Sequence, residues 1–167
     1  MALALSGCTN GIETGLSAPE GIPVTVFAEI SPVTKSGEAI SSDNGFDRTS
    51  FLSGDQIKVT RTKKASGTAA SQSASYRYDG TSAWTVVGTS PVTLEPAVTY
   101  SAQFPADYSA INQFQTTSAA YLASNLLKTG DATSSNGTLD FTSTGKPFTH
   151  VNSKLTLKFT VKRETSI

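Results

Sequence analysis

Ser75-Tyr76-Arg77-Tyr78-Asp79 and Ala83-Trp84-Thr85-Val86-Val87 face one another across Asp79-Gly80-Thr81-Ser82. Aromatic and β-branched residues on both sides of an Asp-Gly turn are a strong hairpin signal. The same period of two extends outward in both directions. Upstream, Gln56 to Thr62 places Ile57 and Val59 on one face and Lys58 and Thr60 on the other. Lys63 to Ser73, rich in Ala, Ser and Gly, reads as a polar hairpin tip. Further upstream, Ile22, Val24, Val26, Ala28 and Ile30 alternate with Pro23, Thr25, Phe27 and Glu29, a strand with one apolar face. Pro23 stands at its start, where a missing ladder donor does least harm.

Downstream, Val92-Thr93-Leu94 and Thr99 to Phe104 read as strands parted by Glu95-Pro96, and Pro105 ends the second. Tyr121, Leu122, Leu126 and Leu127 have the spacing of one or two helical turns. Leu139 and Phe141 belong to a strand. Phe148-Thr149-His150-Val151 leads into Leu155, Leu157, Phe159 and Val161, which alternate with Thr156, Lys158, Thr160 and Lys162. About seven to nine short strands between turn signals, with one short helical segment, predict an all-β sandwich.

The 167 residues suffice for one ordinary domain with a real core. Lys+Arg and Asp+Glu each number 13, so the net charge is zero, and nothing suggests the long-range attraction that nucleic-acid binders use. Charged residues make up 16% of the chain, while Ser and Thr supply roughly a quarter. A surface of hydroxyls in place of charges suits an exported β protein. Cys8 is the one cysteine, which excludes a disulfide within the chain. No stretch reaches the roughly eighteen apolar residues that span a bilayer.

Leu5-Ser6-Gly7-Cys8, behind the apolar run Ala2-Leu3-Ala4-Leu5, resembles the lipobox of bacterial lipoproteins. That resemblance implies cleavage before Cys8 and a lipid anchor on its thiol, holding the protein to the outer membrane at the cell surface. Residues 1–8 then form a truncated signal, because a complete one has a basic start and a longer apolar core. Residues 9–21 have a tether composition, polar with scattered Gly and Pro. Residues 22–162 form the sandwich domain and 163–167 a tail.

The chemistry-bearing residues do not combine into a catalytic motif. His150 is the lone histidine, no Gly-x-Ser-x-Gly elbow is present, and a structural role is expected for that ring. Asp43, Asp47, Asp55, Asp79 and Asp140 lie in different turns, where Asp beside Gly or Asn ordinarily serves turn chemistry. Asp43-Asn44-Gly45 lacks the alternating acidic ligands of a calcium loop. The expectation is a non-enzymatic protein with no cofactor and no metal. Tyr76, Tyr78, Trp84, Tyr100, Tyr108 and Tyr121 form either a core with its rim or a sugar-stacking platform. Arg61-Thr62-Lys63-Lys64 reads as a solvated basic tip.

Arg48-Thr49-Ser50-Phe51-Leu52-Ser53-Gly54-Asp55-Gln56-Ile57-Lys58-Val59, Tyr76-Arg77-Tyr78-Asp79 with Trp84, Tyr100-Ser101-Ala102-Gln103-Phe104-Pro105 and Phe148-Thr149-His150-Val151-Asn152-Ser153-Lys154-Leu155 occur in that order. Together they resemble the N-terminal domain of the fimbrillin family of Bacteroides-like bacteria. The resemblance implies a transthyretin-like Greek-key sandwich and a role in surface fimbriae and adhesion. It also implies maturation by an Arg- or Lys-specific protease that releases the first strand. Another subunit's strand then enters the vacated groove by β-strand addition. Mapped onto this chain, the removable strand is Val24 to Ile30, with Val24, Val26, Ala28 and Ile30 inward. The cut falls after Arg48 or Lys35, which read equally well as ordinary loop charges. Family pilins carry a second domain, which is missing here, so the chain is a fragment or an accessory protein. The expected partners are other fimbrial subunits, the membrane through Cys8, and a host or bacterial surface ligand. The competing reading is a glycan-binding surface lipoprotein, which needs an exposed coplanar set of aromatics.

Overall fold

The computed structural model describes residues 21–31, 48–63 and 71–152. Within them lie β1 (Thr25–Ala28), β2 (Gln56–Lys63), β3 (Gln72–Tyr78), β4 (Trp84–Val86), β5 (Val98–Phe104), α1 (Ser118–Ser124), β6 (Leu127–Lys128), β7 (Thr138–Phe141) and β8 (Thr149–His150). Cys8, Lys35, most of the proposed tether and the Leu155–Val161 pattern fall outside the described residues.

Six strands form one antiparallel sheet in the order β4-β3-β2-β5-β6-β8. Strands β2, β3 and β4 follow one another, and β5 returns to the far side of β2, a Greek-key arrangement. The β1 and β7 strands make a second, parallel sheet. Inward side chains of both sheets share one core, from Val24, Val26, Leu139 and Phe141 on one side to Ile57, Val59, Tyr76, Tyr100 and Phe104 on the other. The described residues make an all-β sandwich with one short helix.

Period-two alternation accounts for which residues go inside. Along β5, Val98, Tyr100, Ala102 and Phe104 are buried and the residues between them only half-buried. The hairpin between β3 and β4 closes on Asp79. Its carboxylate accepts from the backbone N–H of Thr81 at 2.7 Å, Ser82 at 3.0 Å and Ala83 at 3.1 Å. Gly80 has φ +96°, which disfavours any side chain, and a Cβ there would also meet the Ser53 Cβ at 2.8 Å.

Phe51, in the turn before β2, joins the parts of the core. Its ring lies edge-on to Trp84 at 5.0 Å, Phe104 at 5.5 Å and Phe148 at 5.2 Å between centroids. Such perpendicular contacts add to simple burial. Trp84 is itself buried and stacks on Tyr78 at 4.9 Å.

The structure departs from the sequence reading in three places. Val92-Thr93-Leu94 is not a ladder strand: it makes one bridge, Thr93 to Pro23, and side chains satisfy most of its backbone. The helix begins earlier, with the Thr117 hydroxyl capping the Ala120 N–H, and stops at Ser124. Leu126 and Leu127 are buried beyond it, Leu127 in β6 opposite Phe104. Arg61 is no solvated tip; it keeps the inward parity of Ile57 and Val59 and is 6% exposed.

Truncating Phe51 to alanine removes the ring common to these contacts. The expected loss is about 3–5 kcal/mol of unfolding free energy, read by denaturant titration. Asp79 also predicts an acid dependence. Its turn hydrogen bonds, led by that from the Thr81 N–H, hold the carboxyl down to about 2 from 3.8, and bonds from Thr142 and Thr144 lower Asp140. Because the folded values lie below the unfolded ones, these groups stabilise fully above about pH 4. Melting temperature should fall as pH drops from 4 towards 2, and Asp79→Asn should flatten that slope.

Candidate functional site: the first strand and its flanks

Val24, Val26 and Ile30 are 5%, 2% and 6% exposed, and Ala28 is half-buried between them. Thr25, Phe27 and Glu29 point the other way and are exposed. The three fully buried side chains contribute about 1.5–3 kcal/mol each to closing the core. All four residues expected on the inward face thus sit on one strand, although only 25–28 form its regular part.

Two different elements flank that strand. On one side it runs parallel to β7, with Thr25 opposite Thr138 and Ala28 opposite Phe141. The Thr25 N–H donates to the Gly137 carbonyl at 2.8 Å and the Glu29 N–H to that of Phe141 at 3.0 Å. The pairing continues onto Phe148, whose N–H donates to the Glu29 carbonyl and whose carbonyl accepts from Ser31. On the other side the Val24 N–H donates to Val92 at 3.0 Å, and the Leu94 N–H donates to Ile22 at 2.8 Å. The strand therefore lies between two walls that are distant from it in sequence.

The second wall, residues 91–95, is held from below by side chains of the larger sheet. Arg61 pairs across the sheet with Gln72 on β3 and with Tyr100 on β5, so the three share one inward rung. Gln72 donates to the Pro91 carbonyl at 2.8 Å and accepts from the Thr93 N–H at 3.0 Å. The Tyr76 hydroxyl accepts from the Val92 N–H at 3.0 Å. Arg61 donates to the Thr93 carbonyl at 3.0 Å and hydroxyl at 2.8 Å, and its guanidinium lies 3.4 Å from the Glu95 carboxylate. Tyr100 accepts from the Glu95 N–H and donates to the Thr93 carbonyl. Burial raises both phenols above their ordinary range, so each keeps its proton at neutral pH. Sequence reading missed this network. Its one legible signal was the inward parity of Arg61 behind Ile57 and Val59.

Arg48, the cleavage candidate among the described residues, is engaged at three points. Its guanidinium donates two bonds to the Asp55 carboxylate, at 3.1 and 3.3 Å, with the two side chains 18% and 12% exposed. It also lies 5.7 Å from the centre of the Phe104 ring, a cation–π distance. Its carbonyl faces the Nε2 of His150 at 3.2 Å, and the Nδ1 of that ring faces the Asn125 side chain at 3.0 Å. The lone histidine thus ties the end of the 32–47 connection to the segment after the helix. Of the six aromatics considered for a sugar platform, Tyr76, Trp84 and Tyr100 are buried and Tyr78 stacks on Trp84, so they do not form one exposed plane. Among the described residues no group of three His, Cys, Asp or Glu could hold a metal ion, and no helix is long and apolar enough to cross a membrane.

No protein-family model and no curated protein matches the chain. Among solved structures it is similar to a fimbrial protein from Bacteroides ovatus, with 18% sequence identity and a TM-score of 0.41. The similarity covers 78% of this chain and 28% of that one, so the chain spans less than a third of the solved protein's length.

The Arg48–Asp55 pair makes a kinetic prediction. A charge-assisted contact worth about 1.5 kcal/mol that must open before a protease can engage Arg48 slows cutting there by about tenfold. Asp55→Asn should raise the rate of tryptic cleavage after Arg48 by that factor relative to the other sites in the same digest, as followed by mass spectrometry. Equal rates in the two proteins would show that the pair does not shield the bond.

Proposed function

We propose that this chain is a structural or accessory subunit of surface fimbriae that takes part in assembly by β-strand addition and supports adhesion. The observation that carries the proposal is the placement of the first strand. It closes the core with three buried side chains, yet its main-chain bonds go to β7, Phe148 and residues 92–94, none of them its neighbours in sequence. Loss of such a strand leaves an apolar slot edged by main-chain donors and acceptors. An extended segment with medium apolar side chains at alternate positions has the shape and hydrogen-bonding pattern to fill it.

In this reading the leaving piece ends at Arg48, with Lys35 as the alternative. The Arg48 clamp would then hold the C-terminal end of the piece against the domain while the first strand holds its middle. Export as a lipoprotein fastened through Cys8 places the domain at the cell surface, where such a protease and other subunits could meet it. The order of the quoted motifs supports the fimbrial assignment, and the strand's two flanks support the route of assembly. The alternative, a glycan-binding surface lipoprotein, has no support from the aromatic set considered for it, because Tyr76, Trp84 and Tyr100 are buried in the core and Tyr78 packs against it.

The test is limited digestion of the full chain with an arginine-specific protease, followed by mass measurement and sizing. The expected result is one dominant cut after Arg48, release of the N-terminal piece from a domain that stays folded, and formation of higher assemblies when other fimbrial subunits are added. A chain that resists cutting and stays monomeric with those subunits overturns the proposal.

A further inference from the structure

Arg61 is a buried charge for which strand addition as described has no use. Burying a guanidinium is costly, and replacing a buried ion pair with apolar residues of similar size is often neutral or stabilising. A role beyond stability would explain its presence. Its partners indicate that role, since they are the Thr93 carbonyl and hydroxyl and the Glu95 carboxylate, all in the wall beside the first strand.

We infer that residues 91–95 form a preformed wall of the strand groove, held by the Gln72–Arg61–Tyr100 rung and by Tyr76, which stays in place when the first strand leaves. Arg61 is its central positioning residue. The inference rests on the strand-addition reading and adds what keeps the groove open.

The main-chain groups of residues 91–95 divide between two sets of partners. The Pro91 carbonyl, the N–H of Val92, both polar groups of Thr93 and the N–H of Glu95 are all satisfied by side chains of β2, β3 and β5. The Val92 carbonyl and the Leu94 N–H are the groups given to the first strand. Departure of that strand therefore breaks two bonds on this wall and leaves the side-chain bonds intact. The two freed groups point into the slot, one acceptor and one donor, as an incoming strand requires. Pro91 and Pro96 restrict the backbone at either end of the segment, which limits the conformations it could relax into. A wall held by an ordinary ladder to the first strand would instead lose its partners all at once.

The test uses the full chain with a recognition sequence for a site-specific protease inserted after Ile40, so that it does not depend on cutting at Arg48. The nicked protein is offered a labelled synthetic peptide of residues 22–31, and uptake is followed by fluorescence anisotropy. The variants are Arg61→Met, which keeps length and removes the charge, and Tyr76→Phe, which removes one oxygen and keeps the ring in the core. Before nicking, both should stay folded at the assay temperature but melt below the parent, because each leaves a buried group unpaired. After nicking, peptide affinity should fall at least tenfold in each while the parent exchanges its strand. A purely structural role would lower uptake no further than Val59→Ala, a core truncation outside this network whose melting also falls. If Arg61→Met fails to fold, Tyr76→Phe decides alone. Variants that take up the peptide as well as the parent overturn the preformed wall and leave strand addition standing. A nicked parent that never takes up the peptide overturns strand addition itself.

Discussion

Backbone N–H and C=O groups removed from water must find partners, and in this sandwich the partners of residues 91–95 come mainly from side chains. That constraint shapes the region around the first strand. A polar rung of Gln72, Arg61 and Tyr100 crosses three strands on the inward face, where the pattern of the neighbouring rungs calls for apolar residues. The core gives up part of its hydrophobic lining there to fix a segment that has no regular strand beside it except the first. The first strand in turn is held by a fixed wall on one side and by β7 on the other. Its apolar face closes the interior, and its main-chain bonds are divided between two partners.

Such a strand differs from one in the middle of the larger sheet. The β2 strand is paired on both sides from Lys58 to Arg61 and follows the sequence-local logic of the hairpin with β3. The first strand forms no hairpin with either flank. Its pairing with β7 is parallel, and parallel pairs need a crossover in place of a tight turn. The contacts around it are therefore non-local, and a segment from another chain could make the same ones. Clamping of Arg48 by Asp55, Phe104 and His150 adds a second fastening at the far end of the connection. The two fastenings are chemically unlike. One is apolar burial, which salt does not screen; the other is an ion pair, which it does.

Much of the fold was legible because period-two alternation reports directly on which side of a sheet a residue occupies. The hairpin at Asp79-Gly80, the inward faces of β2 and β5 and the apolar face from Val24 to Ile30 follow from it. The segments that failed are instructive for the same reason. Val92-Thr93-Leu94 has strand-like residues, but its pairing is decided by the reach of Tyr76, Gln72 and Arg61 from other strands. Leu126 and Leu127 continue a helical spacing, but both are buried beyond the helix, Leu127 opposite Phe104, and the chain leaves the helix at Asn125. Of the candidate site, the strand and Arg48 could be named in advance; their partners could not.

By itself, then, the order of residues determined the class of fold, the apolar face of the first strand, the balance of charge and the lone thiol of Cys8, since each depends on local period, composition or a single residue. Tertiary structure decided the parallel partner of that strand, the burial of Arg61 and the clamp on Arg48. Apart from the Arg48–Asp55 pair, seven residues apart, these are contacts between residues far apart along the chain, and their energies depend on distance and desolvation, neither of which is written into local spacing.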